Sequence, residues 1–410
     1  MAENKNVPQI RIAGFTKGWN KGLLNQYLET SLEKNFDEAF SREDVLSVSG
    51  DYGVVNQMEF KGRSFAGASV ANYGVLHTGD VVYTKSPLKE NPYGIIKTNT
   101  GKPGIVSTLY AIYHPLETTY PEFVQWYFEN NDRLNRYLNP LVNKGAKNDM
   151  KVSSDNALLG QVVFPDYDEQ KEISEALILV KKFILQYEAK LEKLQTLRSS
   201  MLEKMFPKDG ADTPAVRFKG FENPWQTICL GDITTEITRT DKTSKAPIMM
   251  ITAANGFIDQ SERYSFNNAG QSLAKYIVLK KGELAYNHGA SKLRPYGSCF
   301  ALDADEARIP YVYHCFTISD HNPYFVSRVL NNKETEKQLR KLVTSGARMD
   351  GLLNISYEEY TTVSIQLPER DEQDRIADYF RNLETLIVLC QQELDKLQSL
   401  KKGLLEKMFV

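Results

Sequence analysis

Leu202-Glu203-Lys204-Met205-Phe206 returns, identical over five residues, as Leu405-Glu406-Lys407-Met408-Phe409. A repeat this close in a chain of 410 residues raises the question of whether what precedes it is repeated too. Pro165 with Glu169-Gln170 answers Pro368 with Glu372-Gln373, and Gly145-Ala146-Lys147 answers Gly346-Ala347-Arg348. Farther upstream, Pro92-Tyr93-Gly94 becomes Pro295-Tyr296-Gly297, and Gly79-Asp80-Val81-Val82-Tyr83 becomes Gly282-Glu283-Leu284-Ala285-Tyr286. Near the start, Pro8, Arg11, Gly14, Phe15 and Trp19 come back as Pro214, Arg217, Gly220, Phe221 and Trp225. The chain is two tandem copies. Residues 21–78 and 227–281 scarcely align, so each copy reads as a shared frame around a private insert.

Each copy ends in a stretch built to be a long helix. Residues 168–206 and 371–409 hold no proline and scarcely any glycine, with Asp168 and Asp371 placed to cap the N-terminus and Glu169 and Glu372 in the first turn. Steps of alternately four and three residues pick out Ile173, Leu177, Val180, Ile184, Tyr187, Leu191, Leu194, Arg198, Met201 and Met205. The same steps in the second copy give Ile376, Phe380, Leu383, Ile387, Cys390, Leu394, Leu397, Lys401, Leu404 and Met408. Both series are apolar except at the eighth place, which is basic. A period of 3.5 residues sustained this long is a coiled-coil seam. Each helix would run for about 58 Å and needs a partner along its length. The two seams most simply pack on each other. Because Pro207 stops the first helix and a whole globular part precedes the second, the pairing is expected to be antiparallel, with an approximate two-fold axis relating the copies.

The globular parts alternate short strand-like runs (79–84, 105–113, 276–279 and 311–319) with Gly-, Asn- and Pro-rich loops. One helix is expected in each, over 121–138 and 323–342, opened by Pro121 and Pro323. The fold class is therefore mixed, α/β or α+β, with globular domains at 1–167 and 208–370 and helices at 168–207 and 371–410.

Length alone allows two to four domains. Hydrophobic residues at 41% and charged residues at 25% are ordinary for a folded chain. The first ten residues lack an apolar core and no run of 18 apolar residues occurs, so neither a signal peptide nor a membrane span is expected, and a cytoplasmic location is. Cys229, Cys299, Cys315 and Cys390 lack metal-like spacing and read as scattered thiols, with His314-Cys315 packed in a strand. The formal charge of −2 hides local excesses: residues 61–102 carry +4 and residues 263–294 carry +5. In both stretches the bases are interleaved with Tyr, Asn, Ser and Gly, types that contact phosphates and base edges. Solvated surface is the plainer reading of any one such run; equivalent placement in both copies puts a binding face on an equal footing with it. The candidates in the first copy are Lys61, Arg63, Lys85, Lys89, Lys97, Lys102 and Lys147. In the second they are Arg263, Lys275, His288, Ser291, Lys292, Arg294 and Arg348.

Catalytic signatures are missing. No GxxxxGK[ST] or GxGxxG occurs, and Asn91-Pro92-Tyr93-Gly94 and Asn322-Pro323-Tyr324-Phe325 lack the second proline of an Asn-Pro-Pro-Tyr methyltransferase motif. Pro165-Asp166 with Lys171 makes a poor nuclease site, and His288 with Ser291 has no third group to orient it.

Three signs, each met twice and in order, carry a resemblance: the Arg-Gly-Phe-Trp opening (Arg11 to Trp19, Arg217 to Trp225), the Gly-Asp/Glu turn with its tyrosine, and the Pro-x-x-x-Glu-Gln entry into a long helix. Over nearly its full length the chain resembles the specificity (S) subunit of type I restriction-modification enzymes. The resemblance implies two target-recognition domains reading the halves of a bipartite, asymmetric double-stranded DNA site, joined by antiparallel spacer helices. It implies a non-catalytic subunit that recruits two methyltransferase (M) subunits and restriction (R) subunits, in DNA methylation and host defence in a bacterium or archaeon. S-adenosylmethionine, ATP and Mg are then expected on the partners, and no cofactor on this chain. Two other readings stay open: a protein scaffold that does not read DNA, and an autonomous methyltransferase or nuclease.

Overall fold

The computed structural model describes residues 6–67, 69–85, 88–142, 152–208, 210–262, 270–343 and 352–410, without the side chains of residues 270–272. The chain divides into two compact units, Met1–Ala189 with Gln391–Val410, and Lys190–Cys390. Elements of the first unit are β1 (Asn20–Leu23), β2 (Leu28–Thr30), β3 (Leu46–Ser49), β4 (Gly53–Asn56), α1 (Gln57–Lys61), β5 (Gly74–Leu76), β6 (Val81–Thr84) and β7 (Ile95–Thr98). They continue with β8 (Gly104–Val106), β9 (Tyr110–Pro115), α2 (Pro121–Tyr127), α3 (Asn131–Leu138) and β10 (Gln161–Phe164), then the long α4 (Tyr167–Lys204). The second unit brings β11 (Gln226–Cys229), α5 (Leu230–Ile233), β12 (Thr234–Glu236), β13 (Met249–Thr252), β14 (Gly256–Asp259), β15 (Ile277–Lys280) and β16 (Leu284–Asn287). After these come β17 (Ser298–Ala301), β18 (Glu306–Ile309), β19 (His314–Ile318), α6 (Pro323–Leu330), α7 (Lys333–Leu342), α8 (Tyr357–Thr361), β20 (Ser364–Leu367) and the long α9 (Arg370–Lys407).

The ladders are antiparallel, and the two units share one plan. The first has a four-stranded sheet ordered β2-β9-β6-β7 with the pairs β1-β10, β3-β4 and β5-β8; the second repeats this as β12-β19-β16-β17 with β11-β20, β13-β14 and β15-β18. This corrects the expectation of private inserts. The hairpin β3–β4 recurs 203 residues later as β13–β14, although Leu46-Ser47-Val48-Ser49 and Met249-Met250-Ile251-Thr252 share no residue. Backbone pairing and in/out alternation tolerate exchange of side chains, so a fold persists where alignment fails. What the turn keeps is glycine, Gly53 and Gly256, both with positive φ.

A second correction concerns the helix expected in each globular part, which is two. Asn130 and Asn332 interrupt, each accepting a hydrogen bond from the amide three residues on, Arg133 and Thr335, and so starting a new helix. The long helices also begin one residue earlier than expected. Asp168 and Asp371 lie inside the first turn, where their charge suits the helix dipole.

The repeated motifs are staples of this frame. Arg11 forms a two-pronged ion pair with Glu169 at 2.7 and 2.8 Å, and Arg217 does the same with Glu372 at 2.7 Å on both prongs. The neighbouring Gln170 accepts from the Tyr120 amide and donates to the carbonyls of Thr118 and Pro165; Gln373 accepts from the Asn322 amide and donates to Pro368. Asp80 accepts from the His77 amide and Glu283 from the Lys280 amide, each at 2.7 Å, closing the turn before a central strand. The tyrosine of that strand, Tyr83 or Tyr286, donates to the carbonyl of Tyr93 or Tyr296.

Every position of both seams is buried or half-buried, whereas most of their helical neighbours are exposed. Each unit contains the start of one long helix and the end of the other. In the first, Ile173 and Leu177 of α4 share a core with Leu405, Met408 and Phe409. In the second, Ile376 and Phe380 of α9 share a core with Met205 and Phe206. Phe409 packs 5.5 Å from Phe123, and Phe206 stacks 5.6 Å from Phe325. The identical pentapeptides are thus plugs, each seated beside the start of the opposite copy's helix, and the pairing is antiparallel. The Ile10 amide donates to Lys407 as the Val216 amide donates to Lys204, so both helix ends are closed the same way. No helix among the described residues is long and apolar enough to cross a membrane.

Candidate nucleic-acid interface

The basic residues singled out in the sequence separate by environment. Lys61, Arg63, Lys89 and Lys102 are exposed in the first unit, and Lys275 and Lys292 in the second. Lys61 and Arg63 follow from α1, a five-residue helix started by Asn56 and stopped by the left-handed Gly62. Lys61 Nζ and the Arg63 guanidinium sit 5.7 and 4.8 Å from the Phe65 ring centre, and Lys275 Nζ lies 5.7 Å from Tyr311. Lys102 lines a cleft of about 740 Å³ together with Glu43, Asp44 and Glu59.

Lys97 and His288 do not fit the expectation of a DNA contact. Lys97 stands on β7, 6% exposed, and its ammonium is 2.6 Å from Glu129. Glu129 also receives Lys401 of α9 at 3.3 Å. Burial acts to raise its pKa, but the two lysines outweigh burial and hold the carboxyl below its ordinary range. Lys401 is the base at the eighth place of the second seam, so this break in the apolar pattern is a neutralised charge. His288 is buried with Nδ1 2.8 Å from the Leu353 carbonyl and Nε2 2.9 Å from that of Val312, which leaves no ring nitrogen for a base or phosphate.

Three more candidates are partly committed. Arg294 is half-buried and donates to the Asn331 carbonyl; burial lowers its pKa, with Arg198 acting in the same sense. Ser291 accepts from the Arg294 amide at 3.0 Å and shapes its own turn. Lys85 follows β6, half-buried; burial, then Lys34, lowers its pKa against the opposing pull of Asp155. Lys147, Arg263 and Arg348 lie outside the described residues, as do the two Gly-Ala-Lys/Arg matches.

The sequence reading missed exposed apolar side chains. Tyr52, Met58, Phe60 and Phe65, close in sequence to Lys61 and Arg63, are 38–62% exposed. On the long helices, Phe183 and Leu185 of α4 and Leu386 and Val388 of α9 are exposed at positions equivalent in the repeat. A search for seam periodicity passes over them because they lie off the seam; the signal available was apolar residues at matched non-seam positions.

Cys299, Cys315 and His314 are committed to the fold. Cys299 and Cys315 are buried in β17 and β19, and burial pushes the Cys299 thiol up to about 12, partly opposed by a hydrogen bond with Tyr360. His314, on β19, bonds the Ile355 carbonyl at 2.9 Å. Asn91–Gly94 is a turn and Asn322 caps α6, so both Asn-Pro-Tyr sequences have structural roles. No group of three His, Cys, Asp or Glu that could hold a metal occurs among the described residues.

No protein-family model matches the chain, and no curated protein matches it. Among solved structures, the S subunit of a type I restriction-modification system from M. genitalium is similar over 98% of this chain and 99% of its own, with a TM-score of 0.57 and 11% identity. The HsdS subunit from Thermoanaerobacter tengcongensis is matched over 97% of this chain and 98% of its own, with a TM-score of 0.44 and 16% identity. With two units of one plan joined by two long antiparallel helices, the chain has the fold of a type I restriction-modification S subunit.

Proposed function

We propose that the chain is the DNA-sequence specificity subunit of a type I restriction-modification enzyme. The observation that carries this reading is one backbone plan made twice with different surfaces. Equal plans suit equal tasks, and different surfaces suit two unlike half-sites. In this reading residues 1–167 and 208–370 are the recognition domains, and residues 168–207 and 371–410 are spacer helices that fix the gap between the half-sites. The chain carries no catalysis; methylation and cleavage belong to M and R subunits, which hold S-adenosylmethionine, ATP and Mg. The matched apolar faces around Phe183 and Leu386 suit two copies of one partner, since a repeated surface is what a repeated partner needs.

DNA affinity and its salt dependence, measured on the purified complex, test the reading. Replacing Lys61, Lys89 and Lys102 by glutamine should weaken binding and lower the salt slope by about 0.9 for each phosphate no longer neutralised. Lys97→Gln should lower stability and leave the slope alone, because its charge is spent on Glu129. Unchanged affinity and slope in the triple variant would contradict the DNA-binding face and favour the protein-scaffold reading.

A further inference from the structure

The exposed aromatic cluster on the first unit's hairpin has no structural task in the fold that bears it. Tyr52 stands at the tip between β3 and β4, and its ring lies 5.0 Å from that of Phe60 on α1. Tyr52 is 62% exposed, Phe65 55%, Phe60 45% and Met58 38%, so each leaves a large apolar area facing water. The backbone beneath is fixed. Asn56 accepts from the amides of Met58 and Glu59 and donates to the Glu43 carbonyl; Gln57 donates to Ser47 Oγ and accepts from the Phe65 amide. Lys61 and Arg63, flanking Phe65, make no ion pair among the described residues.

The second unit makes the same hairpin without the aromatic tip. Asn255 takes the place of Tyr52 and Ser261 that of Met58, and the ladder Met249–Asp259 keeps the register of Leu46–Asn56. The backbone therefore does not need the rings. A hairpin that differs between the units at Tyr52 and Met58, where the second carries Asn255 and Ser261, is also wrong for a partner that docks on both units alike. It is right for a ligand that presents something different to each unit, and duplex DNA with two unlike half-sites does so.

We propose that Tyr52, Phe60 and their neighbour Met58 form the base-contacting surface of the first unit, with Lys61 and Arg63 holding the flanking phosphates. This rests on the specificity-subunit reading given above. Rings held rigidly beside cations suit apolar contact with base edges, or entry between base steps, while the charges fix the register on the backbone.

The test is selection from a pool of random-sequence duplexes by the full chain, co-purified with its methyltransferase, followed by sequencing. Tyr52→Asn and Met58→Ser install side chains that the second unit already carries on this hairpin, so folding is expected to hold; an unchanged thermal melt checks it. The wild type should enrich a bipartite motif. The double variant should lose discrimination, by about tenfold to a hundredfold, at bases of one half-site only. Lys61→Gln with Arg63→Gln should instead weaken binding to every sequence and lower the salt slope. A bipartite motif that both variants leave intact would overturn this inference while the specificity-subunit reading stands. Loss of methyltransferase association in the double variant, with the motif unchanged, would assign the patch to a protein partner and overturn it too. A wild type that enriches no motif would overturn the functional reading, and the inference with it.

Discussion

Arg217 and Glu372 lie 155 residues apart in sequence and meet at side-chain exposures of 12% and 0%. A carboxylate so deeply buried is tolerable only while paired, so removing its partner costs more than the pair contributes. Arg217→Ala should therefore destabilise the second unit by about 3–5 kcal/mol, read as a shift in the denaturant midpoint. Arg11→Ala should cost less, because the Trp19 indole still donates to Glu169 at 3.2 Å while Trp225 makes no such bond. Glu129 sets a pH dependence. Its folded-state pKa lies below the ordinary value of 4.5, so its contribution is complete above that value and is lost as pH falls through the folded-state one. Urea midpoints of the first unit should fall across that acid range in the wild type and fall less in Glu129→Gln. The matched Arg and Glu positions were legible in the sequence as repeats, but their pairing was not. Lys97 is hidden from sequence for a related reason, since the carboxylate that neutralises it is 32 residues away on another element.

Among the elements, the long helices were the most legible, because a 3.5-residue period needs no knowledge of the rest of the fold. The hairpins were not, since strands of three or four residues carry too few alternations to declare themselves. Between these extremes stands the turn at Pro92-Tyr93-Gly94, visible as a repeat but explained only by its surroundings. Gly94 has φ +95°, and a Cβ there would run into the Thr84 carbonyl oxygen at the end of a central strand. Gly94→Val should therefore disrupt the first unit, with loss of the cooperative melt expected from that unit and the second unit's melt retained. The helices make a further prediction. Deleting one heptad from both, in register, keeps the seam and shortens each helix by about 10 Å. If the helices are the ruler, the gap between half-sites should change while the halves persist; an unchanged gap in the methylated motif would remove them from that role.

At the scale of the whole molecule, sequence and structure differ most over the relation of the copies. Residues 21–78 and 227–281 look unrelated as strings, yet they build the same strand order around the same central sheet. Side chains diverged on the surface, as with Tyr52 and Asn255, and inside the hairpin, as with Leu46 and Met249, whereas Arg, Glu, Gln, Trp and Gly held where the frame is stapled. A net charge of −2 conceals the same division: some local cations are exposed and others are bound internally, and only the structure separates Lys89 from Lys97. The central claim is that one plan, made twice with unlike surfaces, reads two unlike half-sites. Its most direct test is the map of methylated adenines in a genome whose host expresses this chain with its methyltransferase, compared with the same host lacking the chain. The account predicts a chain-dependent motif of two different short halves separated by a gap of fixed length. A contiguous motif, a gap of variable length, or methylation indifferent to the chain would contradict it.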